Sequence, residues 1–327
     1  MGDSILRYYK KIEKSRLSYI HLLGNPRKKV IKILGAFIMY IIIFYTLMTI
    51  STVIFKYILN ISYEYLSIKS ILFLNEFLEL GYFEKLMDWF LFLLIPTAIF
   101  TYRLIYKEPH GTLISTDYRF RWKWIKKCLT ILFPIMVFVI IGQTLLDGIP
   151  DFIFSSGRIG AVLLSIIITP FQAAGEEYMF RAFGLQVFAT IIKSDKWAWI
   201  ILSVISSFIF SILHLPEDLC TGIDLFVFGI LMCVLVYFTE GIEASIIFHS
   251  LNNILLNIVM DLTSDNGNLF KDTTGIADGL FIESTVVSII TDILICGLVI
   301  WLWKNYNRNL TVNQLRSIEK IKDADEI

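Results

Sequence analysis

The sequence predicts an all-α, polytopic membrane protein of about eight transmembrane helices, and three observations predict it. Hydrophobic residues fill 56% of the 327 positions and charged residues only 18%, with a mean hydropathy of +0.68, too apolar for an ordinary soluble domain. Runs long enough to cross about 30 Å of hydrocarbon, roughly 20 residues of helix, recur along the chain. Basic residues concentrate in alternate connections between those runs, which is the asymmetry that orients a multi-pass protein.

The apolar runs fall at 32–55, 87–105, 128–146, 160–192, 197–216, 222–240, 243–260 and 285–303. They divide the chain into a basic arm (1–31), a group of three spans (32–157), a group of four spans (158–260), and a final stretch of acidic loop, last span and tail (261–327). The arm is no signal peptide, because nine basic positions from Arg7 to Lys32 are spread along it. Ile5, Leu6, Tyr9, Ile12, Leu17 and Ile20 interleave with those bases. A helix lying on the membrane surface and a partly ordered cytosolic tail both fit that pattern.

Orientation follows from the bases. The arm, the 106–127 loop with Arg119, Arg121, Lys123, Lys126 and Lys127, the Lys193/Lys196 turn and the tail after Lys304 fall on one side of an eight-span chain. Both termini are therefore expected to be cytoplasmic. The opposite loop at 261–284 is acidic, with Asp261, Asp265, Asp272, Asp278 and Glu283 against Lys271 alone. Tyr118, Phe120, Trp122 and Trp124 alternate with the bases of the second cytoplasmic segment, as an interfacial aromatic belt does beside lipid headgroups. A formal net charge of zero argues against nucleic acid as a partner. Cys128, Cys220, Cys233 and Cys296 show no paired metal-like spacing and read as small buried hydrophobes. There is no internal repeat.

Chemistry must then come from polar residues inside the spans. Glu176, Glu177 and Arg181 lie in the fourth, where each ionisable group costs roughly 2.5–3.5 kcal/mol to insert. On a helix Glu177 and Arg181 share a face, acid first, the favourable order for an ion pair. Glu176 is turned about 100° from its neighbour, which leaves it free to point into a cavity and exchange a proton. A purely structural triad locking helices together fits these three residues equally well. In the fifth span Phe210 and His214 share a face, so the ring can orient the imidazole. In the seventh, His249 and Asn253 project together and can donate to one developing oxyanion. Asn252 is turned elsewhere and reads as a helix-contact residue. A lone membrane histidine is most often a helix-to-helix hydrogen-bond partner, and it is the company these two keep that changes their reading.

Glu176-Glu177-x-x-x-Arg181, then Phe210-x-x-x-His214, then His249-x-x-x-Asn253, in this order on membrane helices, resembles the CPBP family of intramembrane endopeptidases. That family includes the type II CAAX prenyl endopeptidases and the bacterial Abi proteins. The resemblance covers roughly residues 158–260 and implies that this region is a CAAX-protease-like catalytic core. It implies further that Glu176 activates a water that His214 helps to position, that His249 and Asn253 stabilise the oxyanion, and that Glu177 with Arg181 supports the site. The substrate it implies is a peptide or membrane protein cut at or in the lipid bilayer, and by analogy with CAAX processing the site opens to the cytoplasm.

The resemblance leaves metal dependence open. Nothing in the chain resembles H-E-x-x-H, and the metal-free reading is preferred, although Glu176, His214 and His249 would make a three-ligand zinc site with an open position. Their differing depths, at 1.5 Å per residue, call for a tilt or break. Pro170, in a span about 33 residues long, is the expected place for the chain to bend or re-enter. Two noncatalytic readings stand beside the protease. One is a scaffold or bacteriocin self-immunity protein, the other a proton-coupled transporter; the filled motif positions weigh against the first and the lack of repeat symmetry against the second. The Ile- and Lys-rich composition suits a low-GC bacterium and its cytoplasmic membrane.

Overall fold

A computed structural model describes residues 18–24, 29–58, 82–146, 151–263 and 285–307. Among the described residues eight helices are long and apolar enough to cross a membrane, and the protein is an integral, multi-pass membrane protein. Helix α1 is Lys29–Ile58. The second span is two helices, α2 (Tyr82–Phe92) and α3 (Leu94–Tyr106), which break beside Pro96, whose missing N–H cannot reach back to Phe92. Then come α4 (Trp122–Leu146), α5 (Ser156–Glu177), a π-turn (Tyr178–Gly184), α6 (Leu185–Ala189), α7 (Asp195–Leu213), α8 (Leu219–Thr239) and α9 (Glu243–Leu262). The last span is α10 (Thr285–Asn307).

The expected break at Pro170 does not occur. Pro170 sits inside a continuous α5, and the irregularity falls eight residues later, where Tyr178–Gly184 widens to i→i+5 bonding. A π-turn adds a residue without ending the helix, and it is a common feature of functional sites. Here it follows the two glutamates directly and carries Arg181.

Helix α5 has its polar residues inside and its apolar ones outside. Ser165, Thr169, Gln172, Glu176 and Glu177 are buried, whereas Leu163, Ile166, Ile167 and Phe171 are exposed, facing lipid. This reverses the soluble pattern, as expected where lipid is as apolar as any core and helices associate through packing and hydrogen bonds. Two apolar clusters flank the segment. One joins α1, α3, α6 and α7 with Tyr178, Ala182 and Phe183; the other joins α4, α8, α9 and α10 with Phe180 and Phe210. The π-turn contributes to both, so the glutamates lie at the seam between them.

Packing corrects two sequence expectations and adds one contact. Trp124 belongs to no interfacial belt; it is buried, with its ring 4.9 Å from that of Trp303 and 5.5 Å from that of Tyr306. Trp122 is exposed as expected. Arg121, one of the bases of the 106–127 loop, is buried: its Nε donates to Glu243 Oε1 at 2.8 Å and its second terminal nitrogen to Oε2 at 2.5 Å, a buried fork that ties the start of α4 to the start of α9. In the arm, Tyr19, Ile20 and Leu22 are buried among α3, α6 and α7, with Tyr19 donating to the Leu113 carbonyl at 2.6 Å; arm positions 1–17 and 25–28 lie outside the described residues. So do Asp265, Lys271, Asp272, Asp278, Glu283 and the tail beyond 307. Cys128, Cys233 and Cys296 are buried and Cys220 partly so, all as free thiols.

The α2–α5 crossing fixes the position of the glutamates. A Cβ on Gly175 would lie 2.1 Å from the Leu91 carbonyl oxygen, so the two backbones touch one residue before Glu176. Gly175→Ala is expected to destabilise the protein by about 1–3 kcal/mol through overpacking, read as a lowered detergent-denaturation midpoint; an unchanged midpoint would show that the crossing relaxes freely.

Candidate active site

Glu176 and Glu177 end α5 side by side, and helical geometry sends them to different partners. Glu177 Oε1 lies 3.1 Å from the Arg181 guanidinium one turn on and 3.0 Å from His249 Nδ1 on α9. The Arg181 contact is a charge pairing off the hydrogen-bond line. The guanidinium also reaches the Gly229 carbonyl at 3.4 Å and sits 4.4 Å from the centre of the Phe210 ring, a cation–π distance. Both charges of the pair are fully buried.

Glu176 faces the histidines. Its Oε2 is 3.8 Å from His214 Nε2 and 3.7 Å from His249 Nε2, beyond direct hydrogen-bond range, and accepts no hydrogen bond. Its Oε1 accepts from Gln172 Nε2 at 2.5 Å. The two imidazoles are held alike. His214 Nδ1 bonds the Phe210 carbonyl at 2.8 Å, and His249 Nδ1 bonds the Glu177 carboxylate. Each acceptor is an oxygen without a proton, so each Nδ1 carries the hydrogen and each Nε2 is turned to Glu176. Phe210 lies 4.3 Å from the His214 ring, as their shared face requires, and Phe228 packs 5.3 Å from the His249 ring.

The open edge of this group is His214. Its side chain is 33% exposed, against 5% for Glu176 and 2% for His249. It caps α7, and Leu215 after it takes a left-handed φ of 49° that turns the chain away. On the far side of that turn Asp218 caps α8, accepting from the Thr221 N–H at 2.9 Å and its hydroxyl at 2.8 Å. Those bonds hold the Asp218 carboxyl below the usual range.

Asn253 sits one turn further along than the histidines. Its Nδ2 donates to Gln172 Oε1 at 3.3 Å, so it meets Glu176 through that amide. Asn252 is not turned elsewhere: its Nδ2 donates to Asn253 Oδ1 at 3.4 Å. Sequence reading missed Gln172, although the signal was present, since it lies on the Glu176 face one turn earlier. The same helix pair continues with Asn257 to Thr169 at 3.2 Å and Ser165 to Asp261 at 2.7 Å.

Glu176 Oε2 and the two imidazole Nε2 atoms are of types that bind zinc, but among the described residues no group of three His, Cys, Asp or Glu side chains is placed to hold a metal ion. The same three atoms, without a metal, surround a point from which a water can give a proton to the carboxylate.

Comparison with known proteins bears on this region. The chain is 27% identical over 229 residues to the uncharacterized protein YyaK of Bacillus subtilis (strain 168), covering 64% of this chain and 72% of that one. No solved structure matches. Residues 158–255, which hold the π-turn, both glutamates, Arg181, both histidines and Asn253, match the model of the type II CAAX prenyl endopeptidase Rce1-like family, and in this core the chain is similar to that family.

Proposed function

We propose that the protein is an intramembrane endopeptidase in which Glu176 activates a water against a peptide carbonyl. The observation that carries the reading is the Glu176 Oε2 atom, buried without a hydrogen-bond partner and faced by two imidazole nitrogens at 3.7 and 3.8 Å. An unsatisfied buried carboxylate oxygen is costly, and it is repaid where a reactant completes the set.

In this reading a water gives one proton to Glu176 while its other O–H donates a hydrogen bond to His214 Nε2, and the water oxygen bonds to the carbonyl carbon. The resulting oxyanion accepts from Asn253 and from His249. With Nδ1 committed to Glu177, His249 donates from Nε2 only as the imidazolium, and the Glu177 carboxylate balances that charge. The C–N bond then breaks as the Glu176 proton passes to the leaving amine. Glu177 and Arg181 hold His249 and the π-turn in place. The partners of this chemistry are membrane lipid and a peptide or membrane-protein substrate.

A second form of the same activity would need Glu176, His214 and His249 to draw together around a zinc ion, which would supply Lewis acidity. One assay separates the two forms. Purified protein is offered two quenched peptides of one sequence, one ending in a farnesylated C-a-a-X tetrapeptide and one unlipidated, with and without a zinc chelator. Cleavage unaffected by the chelator is expected. Loss restored by added zinc would establish the metal form, and no cleavage of either peptide by wild type would return the protein to a scaffold, immunity or transport role.

A further inference from the structure

We propose that Gln172 is a positioning residue of the reaction centre, the link through which Asn253 orients the Glu176 carboxylate; this rests on the hydrolytic reading above. Gln172 is buried on α5, one turn before Glu176. Its Nε2 donates to Glu176 Oε1 at 2.5 Å, its Oε1 accepts from Asn253 at 3.3 Å, and Asn253 in turn accepts from Asn252 at 3.4 Å. A side-chain amide has one donating and one accepting end. With Asn253 facing the oxygen, the NH2 must face Glu176.

The consequence lies in which carboxylate oxygen remains for chemistry. Gln172 commits Oε1 and fixes the carboxylate plane, so that Oε2 is the oxygen turned to both histidines. A hydrogen bond to a carboxylate is among the stronger and more directional ones, and reactive groups need second partners to hold them within a fraction of an ångström. Gln172 therefore joins the base on α5 to the oxyanion donor on α9, and a shift of one helix along the other would be felt at both.

The rest of the seam supplies its own control. Thr169 with Asn257 and Ser165 with Asp261 join the same two helices, with no bond to Glu176. If Gln172 only fastens helices, losing it should resemble losing Thr169. If it positions Glu176, the two losses differ in kind.

The experiment uses the full chain in detergent and the farnesylated quenched peptide. Gln172→Met is expected to lower kcat by about 10- to 100-fold, as a misplaced reacting group does, with KM changed by no more than about twofold. Thr169→Val is expected to lower the denaturation midpoint with kcat kept. In an Asn253→Met background, Gln172→Met should cost less than in wild type, because coupled residues are not additive. Should Gln172→Met fail to fold, Gln172→Asn, which keeps the amide but withdraws it by a methylene, carries the same expectation. A kcat for the Gln172 variants no lower than that of Thr169→Val, with Glu176→Gln inactive, overturns the proposal alone. Wild-type activity in Glu176→Gln, or no cleavage by wild type of either the farnesylated or the unlipidated peptide, removes the hydrolytic reading itself and the proposal with it.

Discussion

Glu176→Gln is expected to lower kcat by about 10²- to 10⁴-fold, the range that a positioned general base contributes, while the denaturation midpoint stays near that of wild type. The substitution keeps the side-chain shape and can still present an oxygen to Gln172 Nε2, which donates at 2.5 Å in the native protein. It removes the carboxylate that takes the proton from water in this reading. Stability should be little affected, because Oε2 has no hydrogen-bond partner to lose. Neighbouring substitutions behave differently. His214→Ala removes a ring that is 33% exposed at the edge of the group, whereas His249→Ala also strips a buried bond from Glu177. Catalytic loss with an unchanged midpoint in Glu176→Gln, measured on the farnesylated peptide and by scanning fluorimetry, is the expected pair of results. Undiminished cleavage would leave the two histidines facing a carboxylate with no part in the reaction.

Much of this was legible in the sequence because insertion into lipid makes unusual residues conspicuous. Each of the eight described spans overlaps an apolar run read from composition, and the Glu177–Arg181 pairing followed from i,i+4 spacing alone. The convergence of His214 and His249 on Glu176 did not. It depends on three helices crossing at one level, and the device that allows it is a π-turn with no proline or glycine at its start. Pro170 misled for a physical reason: its lost hydrogen bond is tolerated where neighbouring helices pack against the segment. Trp124 misled because aromatic residues near a membrane surface are usually interfacial, and nothing local shows that Glu243, 122 positions away, waits for the Arg121 guanidinium. Gln172 was hidden by its ordinariness, since a glutamine carries no charge to draw attention in an apolar run.

Arg181→Met is expected to cost about 3–5 kcal/mol of stability, the price of leaving a buried charge uncompensated. Arg181 and Glu177 are both fully buried, 3.1 Å apart, in the segment that carries the reaction centre. Without the guanidinium, the Glu177 carboxylate keeps only the His249 Nδ1 at 3.0 Å as its charge partner, and the Phe210 ring loses the cation 4.4 Å from its centre. The same principle predicts the rescue. Replacing both members of a buried pair removes the uncompensated charge together with the pairing, so Glu177→Gln/Arg181→Met should recover most of the lost stability. It should not recover cleavage to the same degree, because the amide gives His249 a weaker acceptor and no charge to balance an imidazolium. Chemical denaturation of wild type and the two variants in one detergent reads the first part and kcat on the farnesylated peptide the second. If the double variant is as unstable as Arg181→Met alone, packing of the guanidinium between Phe210 and the Gly229 carbonyl, and not its charge, is what holds the π-turn. If stability and cleavage recover together, the ion pair is structural only, and His249 needs nothing from Glu177 beyond a hydrogen-bond acceptor.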